Sequence, residues 1–207
     1  SSSQPAVSQT FRLRPLPVLP PSGYHTAMTS DITPSAGLPA GEPTVGPLGP
    51  ADLAPVLATL DPTITIRHFD ELTSTAQEAA DAIGVELGQI AKSLCMTADD
   101  APFVVVMSGD RRVFEPKLAR HFGVGRKKIR IVDTESCIRI FGYAPGGVPP
   151  VGHRTPGIPV LVDESLSRFE EIWAAAGSAQ DNFRVTFDQL VQITGGTVID
   201  CAKDVVG

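Results

Sequence analysis

Lys92 stands apart from other charges, with Ile90-Ala91 before it and Ser93-Leu94 after it. A lysine at the mouth of an apolar strand is partly desolvated, and its ammonium then acts more strongly on nearby charge. The plainer reading is a strand-end lysine whose stem lies on apolar surface and whose head reaches water. Downstream, Gly142 to His153 places four glycines and three prolines in twelve residues. Proline fixes φ and removes an N–H, while glycine lets the backbone approach a ligand. The result is a stiff loop with bare main chain at Gly146, Gly147 and Val148. Consecutive free amides there would receive a phosphate, a carboxylate or a developing oxyanion; the alternative is a rigid surface turn. His153 ends the loop, as a substrate contact or as its cap. No Ser-His-Asp or Cys-His set is evident, so a protein nucleophile is not expected. Cys95 has the opposite strand parity to Lys92 and reads as core.

The elements that position these groups follow from periodicity and turn chemistry. Pro50-Ala51-Asp52-Leu53 opens a helix running through Leu60, with Pro and an acid in its first turn. Thr63–Phe69 alternates and is β-branched, hence a strand. Thr73 or Ser74 caps a helix whose Ala76, Ala79, Ala80 and Ile83 form one small-residue face, ended by Gly84. Lys92–Thr97 is a strand. Phe103–Ser108 is a buried strand, with Gly109-Asp110 turning it into Arg111–Phe114 as its hairpin partner. Pro116–Phe122 is a helix, Ile129–Val132 a strand, and Thr134 or Glu135 starts a helix through Phe141. Pro159–Asp163 is a central strand buried on both faces. Glu164–Ala176 reads as an amphipathic helix with Leu166, Phe169, Ile172 and Trp173 inward, capped by Gly177. Phe183–Phe187 is a strand, Asp188 caps the helix Gln189–Ile193, and Thr197–Cys201 is the last strand. The order is mixed α+β, with no G-x-G-x-x-G and no Walker motif.

Composition narrows the function classes. Ten of the nineteen prolines lie in residues 1–50. That Pro/Ser/Gly-rich stretch cannot bury enough surface to order itself and is expected to be a disordered tail. Met28 could mark a natural start, and a docking role for Leu13 to Pro21 is the alternative to a tail without function. Residues 51–207 are then a single domain. The net charge of −6 argues against a dedicated DNA or RNA packager but leaves room for a local patch. Gly125–Arg130 is the one dense basic cluster; with Arg111, Arg112, Lys117 and Arg120 it forms a nucleic-acid patch or a solvated turn. Cys95, Cys137 and Cys201 are odd in number without C-x-x-C spacing, and His25, His68, His121 and His153 are scattered. No disulfide framework, metal or cofactor is expected. No apolar run reaches membrane-spanning length and there is no secretory h-region, so a cytoplasmic protein is expected.

Four motifs occur in a telling order. Thr75-Ala76-Gln77-Glu78-Ala79-Ala80 with Gly84-Val85 is followed by Ile90-Ala91-Lys92-Ser93-Leu94. Next come Gly142–Gly152 and then Leu190-Val191-Gln192-Ile193-Thr194-Gly195-Gly196-Thr197-Val198-Ile199-Asp200. From about Ile64 to Asp200 the chain resembles the YbaK/ProX family of aminoacyl-tRNA deacylases, related to the insertion domain of prolyl-tRNA synthetase. The resemblance implies a compact, mixed, largely antiparallel β-barrel with flanking helices and hydrolysis of a mischarged aminoacyl-tRNA in trans. It makes Lys92 the family's essential lysine beside the scissile ester and the terminal nucleotide. It lets the substrate's 2′-hydroxyl activate the water, and for such an ester the amides of Gly146, Gly147 and Val148 are the candidate oxyanion site. His153 and Pro149 at the loop end are candidate substrate contacts, with capping of the loop as the alternative for His153. Relatives carry a histidine, aspartate or Ser-Gly pair just after the position of Gly177; here Ser178-Ala179-Gln180-Asp181-Asn182 follows, so Asp181 or Asn182 takes that place. The V-P-P-V-G-H ending departs from the I-S-P-L-G of the cysteine-specific branch, leaving Cys, Ala, Ser and Thr open as substrates. The implied partners are the acceptor end of an aminoacyl-tRNA and a synthetase, with no DNA and no membrane. A non-catalytic tRNA-end binder and a synthetase-docking domain are the other classes.

Overall fold

Strand β2 (Ile90–Ala98) is the axis on which the other strands assemble. The computed structural model describes residues 46–71 and 75–203 of the 207. The proline-rich stretch therefore lies, up to residue 45, outside the described residues. β2 turns through Asp99 and Asp100, both with left-handed backbone (φ 51° and 67°), into β3 (Ala101–Ser108). The pairing Ala98↔Ala101 makes this a two-residue hairpin, whose positive φ values match the twist of the flanking strands. The reading of Arg111–Phe114 as hairpin partner of β3 is thus corrected. Those residues form no strand and make one isolated bridge, Val113 to Ala202.

The sheet is mixed. Its main path runs β1 (Ile66–His68), β7 (Asp181–Val185), β6 (Ile172–Ala175), β2, β3, β5 (Val160–Asp163), β8 (Thr197–Ile199). β4 (Ile129–Ile131) pairs with the far end of β2. β2–β6, β3–β5 and β5–β8 are parallel, and the other four ladders are antiparallel. Alternation along β3 sends Val104 and Val106 into one core and Phe103, Val105 and Met107 into another, so its continuous apolar run is buried on both faces. Leu53 and Leu57 of α1 (Pro50–Leu60) close the first core together with Leu190 and Ile193 of α5 (Phe187–Thr194). Leu118 and Ala119 of α3 (Glu115–Phe122) close the second. A smaller cluster joins Ala79 and Ala80 of α2 (Ala76–Ile83) to Ile90 and Trp173. Among the described residues no helix is long and apolar enough to cross a membrane.

Glu164–Ala176 is not a helix. It divides into a single 3-10 turn over Glu164–Arg168 and the strand β6. Ile172, Trp173 and Ala174 are buried in succession, which needs two buried faces rather than one stripe. Helix propensity differs by less than about 1 kcal/mol per residue among these types. Burying one large apolar side chain is worth about 2 kcal/mol, so the sheet wins. Two caps also differ. Thr73 and Ser74 lie outside the described residues, and Thr75 caps α2: its hydroxyl accepts from Glu78 N–H while the Glu78 carboxylate accepts from Thr75 N–H. Thr186, not Asp188, caps α5 in the same reciprocal way with Gln189. The short helix α4 (Thr134–Ser136) continues as a wider π-turn over Cys137–Phe141 and stops at Gly142, whose φ is +94°. Gly46 to Gly49, on the tail side of the expected boundary, touch the domain. Leu48 N–H donates to Gly142 C=O at 2.6 Å, and Arg154 Nη2 donates to Gly46 C=O at 2.6 Å.

Candidate active site

A break in the sheet creates the cleft that holds the motif residues. On one edge of β2, β6 pairs only with Ile90 and Ala91, and β4 only with Met96 to Ala98. Among the described residues no strand lies beside Lys92–Cys95 on that edge. A cleft of about 220 Å³ opens there, reached from β2 by Lys92, Ser93 and Leu94. Thr75, Ala76 and Ala79 of α2 line one side, Gly146 and Val148 of the glycine-proline loop another, and Ala175 and Asn182 the β6–β7 end. Strand parity sorts these groups. Ile90 pairs with Trp173 and Ala175 with Asn182, so Lys92, Ala175 and Asn182 share the face that α2 covers. Ala91 lies on the opposite face in one core with Val148, and Ser93 shares that face. A ligand would thus enter edge-on, with lysine on one side and loop amides on the other.

Lys92 is held at its tip. Its Nζ donates to the carbonyls of Gly109, at 3.3 Å, and of Arg111. An ammonium has three donors, so one remains. Burial pushes its pKa down from the usual lysine value, the Arg112 charge pushes the same way, and Asp110 opposes them. Asp110 is itself fixed by Arg168 at 2.8 Å and by the Ser108 hydroxyl at 2.6 Å.

The loop is cross-braced. Tyr143, fully buried, donates its hydroxyl to Gly152 C=O at 3.0 Å, and burial raises its pKa to about 12. His153 Nε2 donates to Pro149 C=O at 3.0 Å, with Phe141 edge-on at 5.9 Å. Its pKa is lowered, chiefly by burial. Gly147 N–H closes a turn onto Ala144 C=O at 3.1 Å, and Gly147 C=O receives Gly177 N–H at 3.0 Å. A Cβ on Gly147 would lie 2.9 Å from Ser178 Cα, so close backbone approach is what requires glycine there. The two consecutive free amides expected from the sequence are therefore not both available. Among the described residues, those of Gly146 and Val148 donate to no partner, and the Gly147 amide between them is already used.

The remaining candidates separate into cleft and scaffold. Asn182 is buried and lines the cleft. Its neighbour Asp181 points the other way on β7 and accepts from Ser178 Oγ and faces His68 Nδ1 at 3.0 Å. Gly177, at φ +96°, abuts the Gly49–Pro50 backbone. Pro149 and His153 brace the loop and do not line the cleft. Ser93, Thr75, Ala76, Ala79 and Ala175 line it without having been singled out as site residues; the small-residue face of α2 was the visible signal. Cys95 is buried, and the thiol of Cys137 is its neighbour. A second depression of about 300 Å³, lined by Arg67, Glu171 and Arg184, holds none of the motif residues.

The basic cluster is largely neutralised. Arg126 pairs with Glu115 at 3.1 Å, Lys128 with Asp99 at 2.6 Å, Arg130 with Asp100 at 2.6 Å, and Lys117 with Asp200 at 2.8 Å. Arg112, next to the loop that holds Lys92, has an exposed side chain with no acidic partner among the described residues.

Comparison with known proteins agrees with this architecture. The family model for the aminoacyl-tRNA editing domain matches residues 70–193. YwhH of Bacillus subtilis is 31% identical over 141 residues, covering 67% of this chain and 87% of that protein. A protein of Enterococcus faecalis provisionally named the Cys-tRNA(Pro)/Cys-tRNA(Cys) deacylase EbsC is 25% identical over 59% of this chain and 73% of its own. A crystal structure provisionally described as a trans-editing enzyme for prolyl-tRNA synthetase superposes with a TM-score of 0.70 at 33% identity. That match covers 80% of this chain and all of the other. With the lysine strand, the loop and the small-residue helix meeting at one cleft, the chain belongs to the aminoacyl-tRNA editing domain family.

Proposed function

We propose that the protein hydrolyses the ester of a mischarged aminoacyl-tRNA in trans. The observation that carries this reading is the meeting of Lys92 with the unengaged amides of Gly146 and Val148 at one opening in the sheet. Water adds to the ester carbonyl carbon, and the carbonyl oxygen becomes an oxyanion that the two amides stabilise. A well-aimed donor of this kind is worth roughly 3 kcal/mol of barrier. The bond from carbon to the ribose oxygen then breaks, and that oxygen leaves with the proton released by the water. Lys92 holds the terminal ribose or phosphate beside the reacting carbon. Its two carbonyl anchors fix the side chain, so little ordering is left for the moment of reaction. The substrate's neighbouring hydroxyl serves as the group that activates water. The acceptor end of the tRNA is the partner, with a synthetase as the source of mischarged substrate.

The test is a deacylation panel of Cys-, Ala-, Ser-, Thr- and Pro-tRNA, with wild type beside Lys92→Ala. Wild type should hydrolyse one or two of the mischarged species, and Lys92→Ala should lower that rate about 100-fold or more. A folded wild-type protein that hydrolyses none of them would overturn the catalytic reading in favour of a tRNA-end binding module.

A further inference from the structure

We propose that Ser93 determines specificity, taking the amino-acid part of the substrate and favouring side chains with a hydroxyl or thiol on Cβ; this rests on the deacylase reading above. Ser93 Oγ is buried and has no hydrogen-bond partner among the described residues. Buried polar atoms are almost always paired, and an unpaired one in a cleft calls for a ligand. The backbone of the same residue is open as well. Ile90 C=O accepts from Gly109 N–H at 2.7 Å, so Ile90, Lys92 and Leu94 turn their peptide groups toward β3. Ser93 and Cys95 turn theirs to the broken edge, where Cys95 C=O is already taken by Val132 N–H at 3.1 Å. Ser93 therefore turns its N–H and C=O to the opening, and its buried hydroxyl lies beside them on the face of Ala91 and Val148.

The surroundings select what can answer that hydroxyl. On the Ser93 face the cleft is bounded by Ala91, Gly146 and Val148, which supply no polar side chain. A methyl side chain there would leave the hydroxyl unpaired, whereas a β-hydroxyl or β-thiol would pair with it. A site with a buried polar group rejects an analogue that cannot satisfy it more strongly than an apolar pocket rejects an added hydroxyl. Seryl, threonyl and cysteinyl esters are thus favoured over alanyl.

The experiment compares kcat/KM on Ser-tRNA and Ala-tRNA for wild type, Ser93→Ala and Ser93→Thr. In parallel, it measures binding of 3′-seryl- and 3′-alanylamido-adenosine, which cannot be hydrolysed. The seryl-to-alanyl ratio should fall about tenfold or more in Ser93→Ala and return in Ser93→Thr, in both readouts. Ser93→Ala should also melt no lower than wild type, because it removes an unsatisfied buried group. Equal effects on both substrates would assign Ser93 to a feature common to all esters and overturn the proposal. An unchanged ratio, or a lower melting point with an unchanged ratio, would overturn it too. If wild type hydrolyses nothing, the deacylase reading fails, and the binding ratio alone still decides Ser93.

Discussion

His153 shows how a single half-buried side chain ties the loop to pH. Its ring donates to Pro149 C=O, and burial holds its pKa below the ordinary value of 6.5. Above pH 6.5 both the folded and the unfolded chain carry a neutral imidazole, and the full stability is present. As pH falls below 6.5, the unfolded chain takes a proton that the folded chain refuses, and stability is lost until the folded-state pKa is reached. The urea midpoint of wild type should therefore drop between pH 7 and pH 5 by more than that of His153→Gln, which keeps an N–H donor but does not titrate. Equal drops in the two proteins would remove His153 from the account. Lys92 stood out at this scale through the order of the motifs around it, since a lysine alone in an apolar context reads equally as a strand-end lysine. The role of Ser93 did not, because an unpaired strand edge depends on which strands flank it.

At the scale of elements, the glycine-proline loop and the β6–β7 turn meet through backbone alone. A Cβ at Gly147 would meet Ser178 Cα, C and N at 2.9–3.0 Å, and backbone atoms cannot swing aside as a side-chain tip can. Gly147→Ala should cost roughly 1–3 kcal/mol of stability, as overpacking does, and slow deacylation by moving Gly146 and Val148. Gly125→Ala meets nothing within 4 Å and should be close to neutral in both readouts. Thermal melts and the deacylation assay check the pair. The loop, the α1, α2 and α3 helices and the β2–β3 strands were readable from proline, glycine and apolar spacing. The stretch Glu164–Ala176 was not: Leu166, Phe169, Ile172 and Trp173 fit a helical stripe, and only packing between β2 and β7 makes the last two of them part of a strand.

At the scale of the whole molecule, a net charge of −6 must still admit a polyanionic substrate. Ion pairs occupy much of the 126–130 cluster, so a phosphate would have to displace Glu115, Asp99 or Asp100 to reach it. Arg112 faces no such competition and adjoins the loop that anchors Lys92. Arg112→Glu should therefore weaken kcat/KM for tRNA and flatten its dependence on salt by about one unit of log–log slope. Arg126→Glu should change both far less. Comparable losses from the two variants would return the acceptor stem to the basic cluster.

The sequence by itself determined the mixed α+β class, the order of the four motifs and the stiff glycine-proline loop. These rest on local physics: proline and glycine dihedrals, strand alternation and helical spacing act within a few residues. Tertiary structure decided which loop amides stay unengaged, which of Asp181 and Asn182 reaches the cleft, and which cations are neutralised. It also decided that the sheet breaks beside Ser93. Each of these depends on partners remote in the chain, such as Ala144 and Ser178 for Gly147, Glu115 for Arg126, and β4 and β6 for β2. No local pattern encodes a contact whose partner is chosen only when the core closes.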